Sequence, residues 1–285
     1  MSYRSVFRPG LFAGQTIVVT GAGSGIGRCT AHELAALGAH VVLVGRTVAK
    51  LEAVEAEIRE DGGEASHASC DIRDEEAVKT TVAGIVSARG RIHGLVNNAG
   101  GQFPAALAGI SAKGWQAVIA NNLTGGFLMA REAYGQSMRQ HGGAIVNMLA
   151  DMWNGMPGMG HSGAARAGML NFTETAACEW APVRVNAVAP GWIASSGMDT
   201  YPDAMKPLIQ GLPRHVPAAR FGSEAEVSAA IVFLLSEAAA FVSGACLRID
   251  GAAPNARRHW MMSPGRPAPG FDGFHRRRKP RVLGD

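Results

Sequence analysis

The sequence predicts a single α/β domain of Rossmann type, built on a doubly wound, mostly parallel sheet of seven strands. Two observations predict this fold class. Short apolar runs rich in Val and Ile alternate with segments of helical periodicity through most of the 285 residues, which is typical of βαβ units. In addition, a glycine cluster stands between the first predicted strand and the first predicted helix, where such folds bring their backbone close to a ligand.

Seven strands are predicted, and their apolar character indicates burial on both faces of the sheet. In chain order they are Thr16–Thr20, His40–Val44, Ala65–Cys70, His93–Asn97, Ala144–Leu149, Arg184–Ala189 and Ala245–Ile249. The helices predicted between them are Gly25–Leu37, Val48–Glu60, Glu75–Arg89, Ala112–His141, Gly163–Trp180 and Glu224–Ser236.

Two segments depart from this alternation. Residues 192–220 form a connection with four prolines, too long for a simple turn, and we predict a substrate lid there. Residues 253–285 form a basic tail behind a domain of residues 1–252. From Gly251 onward there are eight Lys or Arg and two Asp or Glu, so this part carries +6 and the rest of the chain −2. We favour a solvated tail; contact with a neighbouring subunit or an anionic substrate stays open.

Composition disfavours several classes of function. The four cysteines include no CxxC pair, which fits reduced thiols in the cytoplasm better than a disulfide framework. The nine histidines show no metal-ligand spacing, so we expect no metal site. Residues 1–10 do not resemble a signal peptide and no apolar run has membrane-spanning length, so we expect a cytoplasmic protein without a membrane partner. No binding module accompanies the basic tail, so no nucleic-acid partner is expected.

The glycine cluster is the strongest single signal in the chain. It consists of Gly21, Gly23, Ser24, Gly25, Ile26 and Gly27. Glycines in a strand-to-helix turn let the backbone approach a diphosphate, and the helix N-terminus behind them offers unpaired N–H groups and a favourable dipole. We therefore predict a dinucleotide site, with a purely structural turn as the alternative.

The end of the second strand predicts which dinucleotide binds. Sites for NAD usually have Asp or Glu there, which accepts hydrogen bonds from the adenosine ribose. This chain has Val44, Gly45 and Arg46 instead. A guanidinium suits a phosphate by its charge and its bidentate geometry, so we predict NADP(H). The alternative is an exposed arginine at the start of the next helix.

Further motifs follow the other strands: Asp71, Asn97-Asn98-Ala99-Gly100, Asn122-Leu123-Thr124-Gly125 and Pro190-Gly191. Together with the glycine cluster, they resemble the short-chain dehydrogenase/reductase family over about residues 12–252. The resemblance implies the fold, the nicotinamide cofactor and several contacts. Asp71 and Ile72 would contact adenine. Asn98, Ala99 and Gly100 would flank the adenosine, and the segment containing Pro190, Gly191 and Ile193 would contact the nicotinamide carboxamide.

One departure from the family pattern bears on the chemistry. Most members carry Tyr-x-x-x-Lys after the fifth strand, whereas this chain has Ser162 and Arg166 in that register. Reduction of a ketone leaves a localised alkoxide that needs a strong proton donor, but serine is a poor acid and arginine essentially never releases its proton. Reduction of an α,β-unsaturated thioester leaves a delocalised enolate, which hydrogen-bond donors suffice to stabilise. The sequence therefore favours enoyl reduction.

A second resemblance agrees with this reading. Gly100-Gly101-Gln102-Phe103, Lys113-Gly114-Trp115 and the segment from His161 to Gly168 are similar to the peroxisomal trans-2-enoyl-CoA reductase group. The related 2,4-dienoyl-CoA reductases also have a serine at the tyrosine position, but they keep the lysine and place a tyrosine after the fifth strand. This chain has Asp151 there. A carboxyl group donates a proton only if burial raises its pKa, and a loop cap is the alternative.

We expect the following roles at the site. Arg166 binds the nicotinamide-ribose hydroxyls and adds positive potential near the enolate, Ser162 donates a hydrogen bond to the thioester oxygen directly or through water, and Asn122 holds a water on the proton path, as its family counterpart does. The structural alternatives are a surface charge for Arg166, a helix cap for Ser162 and a polar residue at a helix bend for Asn122.

The predicted function is therefore NADPH-dependent reduction of 2-enoyl thioesters, with coenzyme A esters favoured. Two alternatives stay open: a carbonyl or alcohol oxidoreductase with another donor, such as Tyr201 of the lid, and a module that binds NADP(H) without turnover. The family commonly forms tetramers through the helix after the fifth strand, so we expect a homo-tetramer. The small residues of that helix, however, would also pack well against the sheet.

Overall fold

The computed structural model describes residues 2–256 and 265–284 and confirms the predicted fold class. Seven parallel strands form one sheet in the order β3-β2-β1-β4-β5-β6-β7, with helices on both faces. The strands are β1 (Thr16–Thr20), β2 (His40–Gly45), β3 (Glu64–Ser69), β4 (Gly94–Asn97), β5 (Ala144–Met148), β6 (Arg184–Pro190) and β7 (Cys246–Ile249). The helices are α1 (Gly25–Ala36), α2 (Val48–Glu60), α3 (Glu75–Arg89), α4 (Ala112–Ile119), α5 (Gly125–Ala133), α6 (Arg139–His141), α7 (Gly160–Glu179), α8 (Lys206–Gly211) and α9 (Glu224–Leu235).

Local capping explains where two of these helices begin. Asp74 accepts a hydrogen bond from the backbone N–H of Ala77 at the start of α3. Ser223 and Glu226 form a reciprocal capping box at the start of α9. Each arrangement satisfies backbone N–H groups that a helix leaves unpaired.

The core lies on both faces of the central strands. One face packs against α1 and α9, for example through Leu34 and Ile231, and the other against α3 and α5, for example through Val82 and Met129. The expectation of full burial is wrong for the edge strands β3 and β7, where most residues are only half-buried or are exposed. Each edge strand has a neighbour on one side only, so the flanking helices cover it less completely.

The long helix predicted for Ala112–His141 is interrupted. Two π-helical turns, Ala120–Thr124 and Tyr134–Met138, separate α4, α5 and α6. The first turn contains Asn122, which is 2% exposed. Such turns shift side chains out of helical register and often occur at functional sites.

The described part of the basic tail packs against the domain, so the solvated tail that we favoured is wrong for these residues. Phe274 is buried with Tyr3 and Cys29, and Arg276 pairs with Asp61 and Glu60 at the end of α2. Burial of the aromatic ring and attraction between the basic tail and an acidic helix end explain this docking. Residues 257–264 and 285 of the predicted tail lie outside the described residues.

The described residues contain neither a candidate membrane span nor a candidate metal centre. In the described part of the chain, no helix is long and apolar enough to cross a membrane. The same residues contain no group of three or more His, Cys, Asp or Glu side chains arranged to hold a metal ion.

Candidate active site

A cavity of about 640 Å³ opens at the carboxyl ends of the strands, where the strand order reverses between β1 and β4. Ligands of doubly wound sheets bind at this point. All the predicted cofactor residues except Gly27 line it: Gly21, Gly23, Ser24, Gly25, Ile26, Arg46, Asp71, Ile72, Asn98, Ala99, Gly100, Arg166, Pro190, Gly191 and Ile193. The sequence thus identified residues that the fold brings together from five strand ends.

The glycine turn packs directly against the loop that follows β4, because Gly21 and Gly27 have no side chains. Gly21 has φ of +66°, and a Cβ added there would lie 2.9 Å from the Cα of Ala99. The amide of Asn98 donates to the carbonyl of Thr20 at 2.9 Å and braces the turn. The first turn of α1 has no acidic residue, and Ser24 makes no capping bond with its side chain. This end of the helix therefore fits the diphosphate of a nicotinamide dinucleotide.

The end of the cavity beside β2 is basic. Arg46 and Lys50 line it, and both are exposed. Asp71, the one acid among the described residues that line the cavity, is held by two-pronged hydrogen bonds from Arg73. Arg73, and to a smaller extent Arg46, lowers the pKa of Asp71 to about 2. No described residue forms an ion pair with Arg46 or Lys50, so their charges are available to an anionic ligand.

Arg166 is a buried cation beside this cavity. Its guanidinium donates to the carbonyl oxygen of Met148 at 2.5 Å and to Oδ1 of Asn122 at 3.2 Å. Its Nε is buried and has no hydrogen-bond partner among the described residues. Burial lowers its pKa to about 10, which leaves it charged at neutral pH. Both partners are uncharged, so the wall of the cavity contains a positive charge without a neutralising carboxylate.

Asn122 links the π-helical turn Ala120–Thr124 to the loop after β4 by hydrogen bonds. Its Oδ1 accepts from the N–H of Gly101 at 2.9 Å and its Nδ2 donates to the carbonyl of Gly101 at 2.8 Å. These bonds, with that from Arg166, use the amide oxygen twice and one of the two amide N–H groups in this structure. Asn122 therefore orients Arg166; the water that we predicted for it stays a prediction.

Ser162 lies behind the cavity wall. It is fully buried and its hydroxyl donates to Oε1 of Gln102 at 2.5 Å. Gln102 lines the cavity and its Nε2 donates to the hydroxyl of Tyr201 at 3.3 Å. In this arrangement the hydroxyl proton of Ser162 is directed to Gln102, so direct donation to a substrate oxygen does not fit. No local pattern predicts the contact between Ser162 and Gln102, because it joins segments 60 residues apart.

His161 completes this buried layer. Its Nδ1 accepts from the backbone N–H of Ser162 at 2.9 Å, and its ring packs edge-on to Phe103 with centroids 4.5 Å apart. No described residue bonds its Nε2. The histidine thereby fixes the start of α7, which presents Ser162 and Arg166.

Asp151 does not line the cavity, and the charged groups that act on it, Arg248 and Asp250, are at the end of β7. Burial and the nearby Asp250 raise its pKa, while Arg248 and a hydrogen bond from the backbone of Trp153 lower it. The backbone bond, to a residue two positions later, is typical of a loop cap. The geometry therefore favours the cap over a catalytic role for Asp151.

Glu224 is a buried carboxyl close to the glycine turn. It is 4% exposed, and one of its oxygens lies 3.9 Å from the position of a Cβ added at Gly25. Burial, opposed by Arg28 and Arg277, raises its pKa from 4.5 to about 7. The folded protein therefore retains a proton that the unfolded chain releases between these two pH values, and stability contributed by this group falls as the pH rises through that window.

We expect Glu224→Gln to gain stability relative to the wild type by up to about 3 kcal/mol when the pH is raised from 5 to 8. At pH 5 the wild-type carboxyl is mostly protonated and resembles the amide, whereas at pH 8 it is a buried anion. Urea unfolding at both pH values measures the difference. Glu52→Gln, at an exposed position of α2, is the control and should follow the wild type; an equal response of both variants would contradict the prediction.

The known proteins that this chain resembles are described as reductases or dehydrogenases. Residues 21–252 match the family model described as enoyl-(acyl carrier protein) reductase. A probable 2,4-dienoyl-CoA reductase of Bacillus subtilis is 35% identical over 83% of this chain and 95% of that protein. A 3-oxoacyl-(acyl-carrier-protein) reductase of Synechocystis sp. is 38% identical over 83% of this chain and 96% of that protein. A solved structure from Pseudomonas aeruginosa PAO1, described as a citronellol catabolism dehydrogenase, is 67% identical, covers 88% of this chain and 100% of its own, and superposes with a TM-score of 0.81.

Proposed function

Because the chain belongs to the short-chain dehydrogenase/reductase family, whose members are nicotinamide-dependent oxidoreductases, we propose that it reduces the conjugated carbon–carbon double bond of a 2-enoyl thioester with NADPH. The observation that carries this proposal is the buried Arg166 cation with only uncharged partners. Burying a charge without a counterion costs stability, so the charge is best explained by a role towards a ligand that develops negative charge.

A reduced nicotinamide dinucleotide, held by its diphosphate at the glycine turn, would supply a hydride. The protein then has to hold the acyl group beside it and stabilise the enolate that results. Arg166 lines the cavity and provides fixed positive potential there. Asn122 and the carbonyl of Met148 fix the guanidinium in place. No reorganisation of these groups is needed when the charge develops, which is the condition for strong electrostatic stabilisation.

The relatives support the class of substrate. One relative is a probable dienoyl-CoA reductase and another acts on a 3-oxoacyl group, so acyl thioesters are common to both. The 67% identical structure is associated with citronellol, a branched ten-carbon alcohol. We therefore include 3-methyl-branched 2-enoyl-CoA esters among the substrates proposed for this chain.

The preference for NADPH rests on Arg46 and Lys50. We expect Arg46→Asp to weaken NADPH binding at least about 30-fold relative to NADH binding, because about 2 kcal/mol of charge-assisted bonding to the 2′-phosphate is lost and a like charge replaces it. Calorimetric titration with both nucleotides measures the ratio. Arg139→Asp, in α6 before the amino end of β5, should keep the wild-type ratio. An unchanged ratio in Arg46→Asp would exclude Arg46 from phosphate recognition.

A substrate panel tests the proposed reaction. Purified protein is given NADPH and either crotonyl-CoA, longer 2-enoyl-CoA esters, 3-methyl-2-enoyl-CoA esters, 2,4-dienoyl-CoA esters or 3-oxoacyl-CoA esters, with NADPH absorbance as the readout and mass spectrometry of the product. We expect turnover of one or more 2-enoyl esters and a product heavier by two hydrogens. Turnover of the 3-oxo esters alone would overturn the proposal.

One observation favours a second candidate function. The 67% identical structure is described as a dehydrogenase of citronellol catabolism, and the cavity contains the phenol of Tyr201, a suitable acid–base group for an alcohol. Oxidation of citronellol with NADP, in the absence of any turnover of enoyl esters, would select this alternative.

A further inference from the structure

We call the part of the cavity formed by the strand ends of β5 and β6 and by the lid of residues 192–220 the acceptor end. Few of the side chains that line it can donate a proton. Ser162 and Asp151 do not line the cavity, whereas Gln102, Arg166, Trp192 and Tyr201 do. An arginine keeps its proton, and amide and indole N–H groups are much weaker acids than a phenol. Among the described residues that line this end, Tyr201 is therefore the strongest proton donor.

The hydrogen bonds around Tyr201 leave its proton available. The hydroxyl oxygen of Tyr201 accepts from Nε2 of Gln102, and Oε1 of Gln102 accepts from Ser162. The chain of donors runs from Ser162 through Gln102 to Tyr201, so the bond to Gln102 does not use the tyrosine's own O–H. Cooperative polarisation along such a chain strengthens the last donor.

We propose that Tyr201 is the catalytic acid that protonates the reduced substrate, with Gln102 and Ser162 as the positioning residues that aim it. This inference rests on the proposed function, since the base is the enolate of the acyl thioester. The O–H bond of Tyr201 breaks as the electron pair of the enolate forms a new C–H bond at the α carbon. The tyrosinate then regains a proton from water through the mouth of the cavity.

The C-terminal segment, residues 265–284, holds this tyrosine in place from outside. Tyr201 packs against a cluster of Met198, Ile209 and Val282, of which Val282 is 4% exposed. The N–H of Val282 donates to Asp199 at 3.2 Å and its carbonyl accepts from Gln210 at 2.9 Å. The segment thus fastens both sides of the lid, and Val282 is a further positioning residue.

The first test compares Tyr201→Phe with Tyr134→Phe. Tyr134 stacks on Trp180 with centroids 4.6 Å apart and does not line the cavity, so its variant is the matched control. We expect kcat for a 2-enoyl-CoA ester to fall at least about 10²-fold in Tyr201→Phe, with NADPH affinity within 3-fold of the wild type, and neither value to change in Tyr134→Phe.

A second readout separates proton donation from a structural role. In D₂O the wild type should deliver deuterium to one face of the α carbon, giving a single configuration in the product. In Tyr201→Phe, protonation by solvent should give a mixture. Full kcat with a single configuration in Tyr201→Phe would overturn the inference.

The positioning role of Val282 is tested without substrate as well as with it. Val282→Ala should increase trypsin cleavage of the lid after Arg214 in the cofactor-free protein and lower kcat about 10-fold through misplacement of the acid, whereas Val282→Ile should keep both at the wild-type level. Val6→Ala, at a valine that is 68% exposed, is the control. Unchanged proteolysis and kcat in Val282→Ala would contradict the positioning role.

Absence of enoyl turnover in the wild type would instead refute the proposed function itself, while wild-type turnover that persists in Tyr201→Phe refutes the inference alone.

Discussion

Replacing Arg166 with methionine is expected to lower kcat/KM for a 2-enoyl-CoA ester about 10²- to 10³-fold, the usual effect of removing one preorganised donor to a developing oxyanion. The side chain is 8% exposed, so its charge acts with little screening by solvent. Methionine has a similar length and no charge. The variant thus removes the electrostatic contribution while it fills much of the same space.

Stability should respond in a different way from activity. The substitution leaves the carbonyl of Met148 without its donor, which costs about 1–3 kcal/mol, but it also removes a buried cation that had no carboxylate partner, which is favourable. We expect the two effects to offset each other to within about 2 kcal/mol. Urea unfolding and steady-state kinetics on the same preparation measure both quantities.

Arg166→Lys is the matched variant, because it keeps the charge and restores the residue found in most of the family. A lysine is a point charge without the planar fork, so the bonds to Met148 and Asn122 will not both be retained. We expect its kcat/KM to lie between those of the wild type and Arg166→Met. Equal losses in the lysine and methionine variants would show that charge is not the contribution of Arg166, and a loss that follows the unfolding midpoint would assign it a structural role.

Local patterns in the sequence predicted most of the fold and much of the cavity wall. The bounds of β1, α2 and α3 are those predicted, because the apolar periodicity of each segment and the cap at Asp74 are local features. The glycine cluster and Arg46 were recognisable for a related reason. A parallel sheet places successive strand ends at one edge, so any motif that follows a strand is brought to the same cavity.

Contacts between distant segments were not predictable in this way. The bond between Ser162 and Gln102, and the docking of Phe274 on α1, depend on tertiary packing that leaves no periodic trace in the sequence. The tail illustrates this limit. Its charge run suggested a solvated segment, whereas two buried residues, Phe274 and Val282, and the acidic end of α2 determine where it lies.

Gly27→Ala is expected to weaken NADPH binding at least about 10²-fold. A Cβ at this position would lie 2.5 Å from the carbonyl oxygen of Gly21 and would also overlap the amide of Asn98. Neither group moves easily, since Gly21 is in the backbone of the turn and the Asn98 amide is bonded to Thr20 and Gly21. The turn must therefore shift, which costs about 1–3 kcal/mol in packing and misplaces the N–H groups that would hold the diphosphate.

The control for this variant is Gly84→Ala, in the middle of α3, where an added Cβ has no neighbour within 4 Å. Alanine favours the helix, so Gly84→Ala should gain about 0.5–1 kcal/mol of stability and bind NADPH as the wild type does. Calorimetric titration of protein shown to be folded by circular dichroism compares the two variants. If Gly27→Ala binds NADPH within 3-fold of Gly84→Ala, the turn accommodates the added Cβ without moving the N–H groups that would hold the diphosphate, and the prediction is wrong.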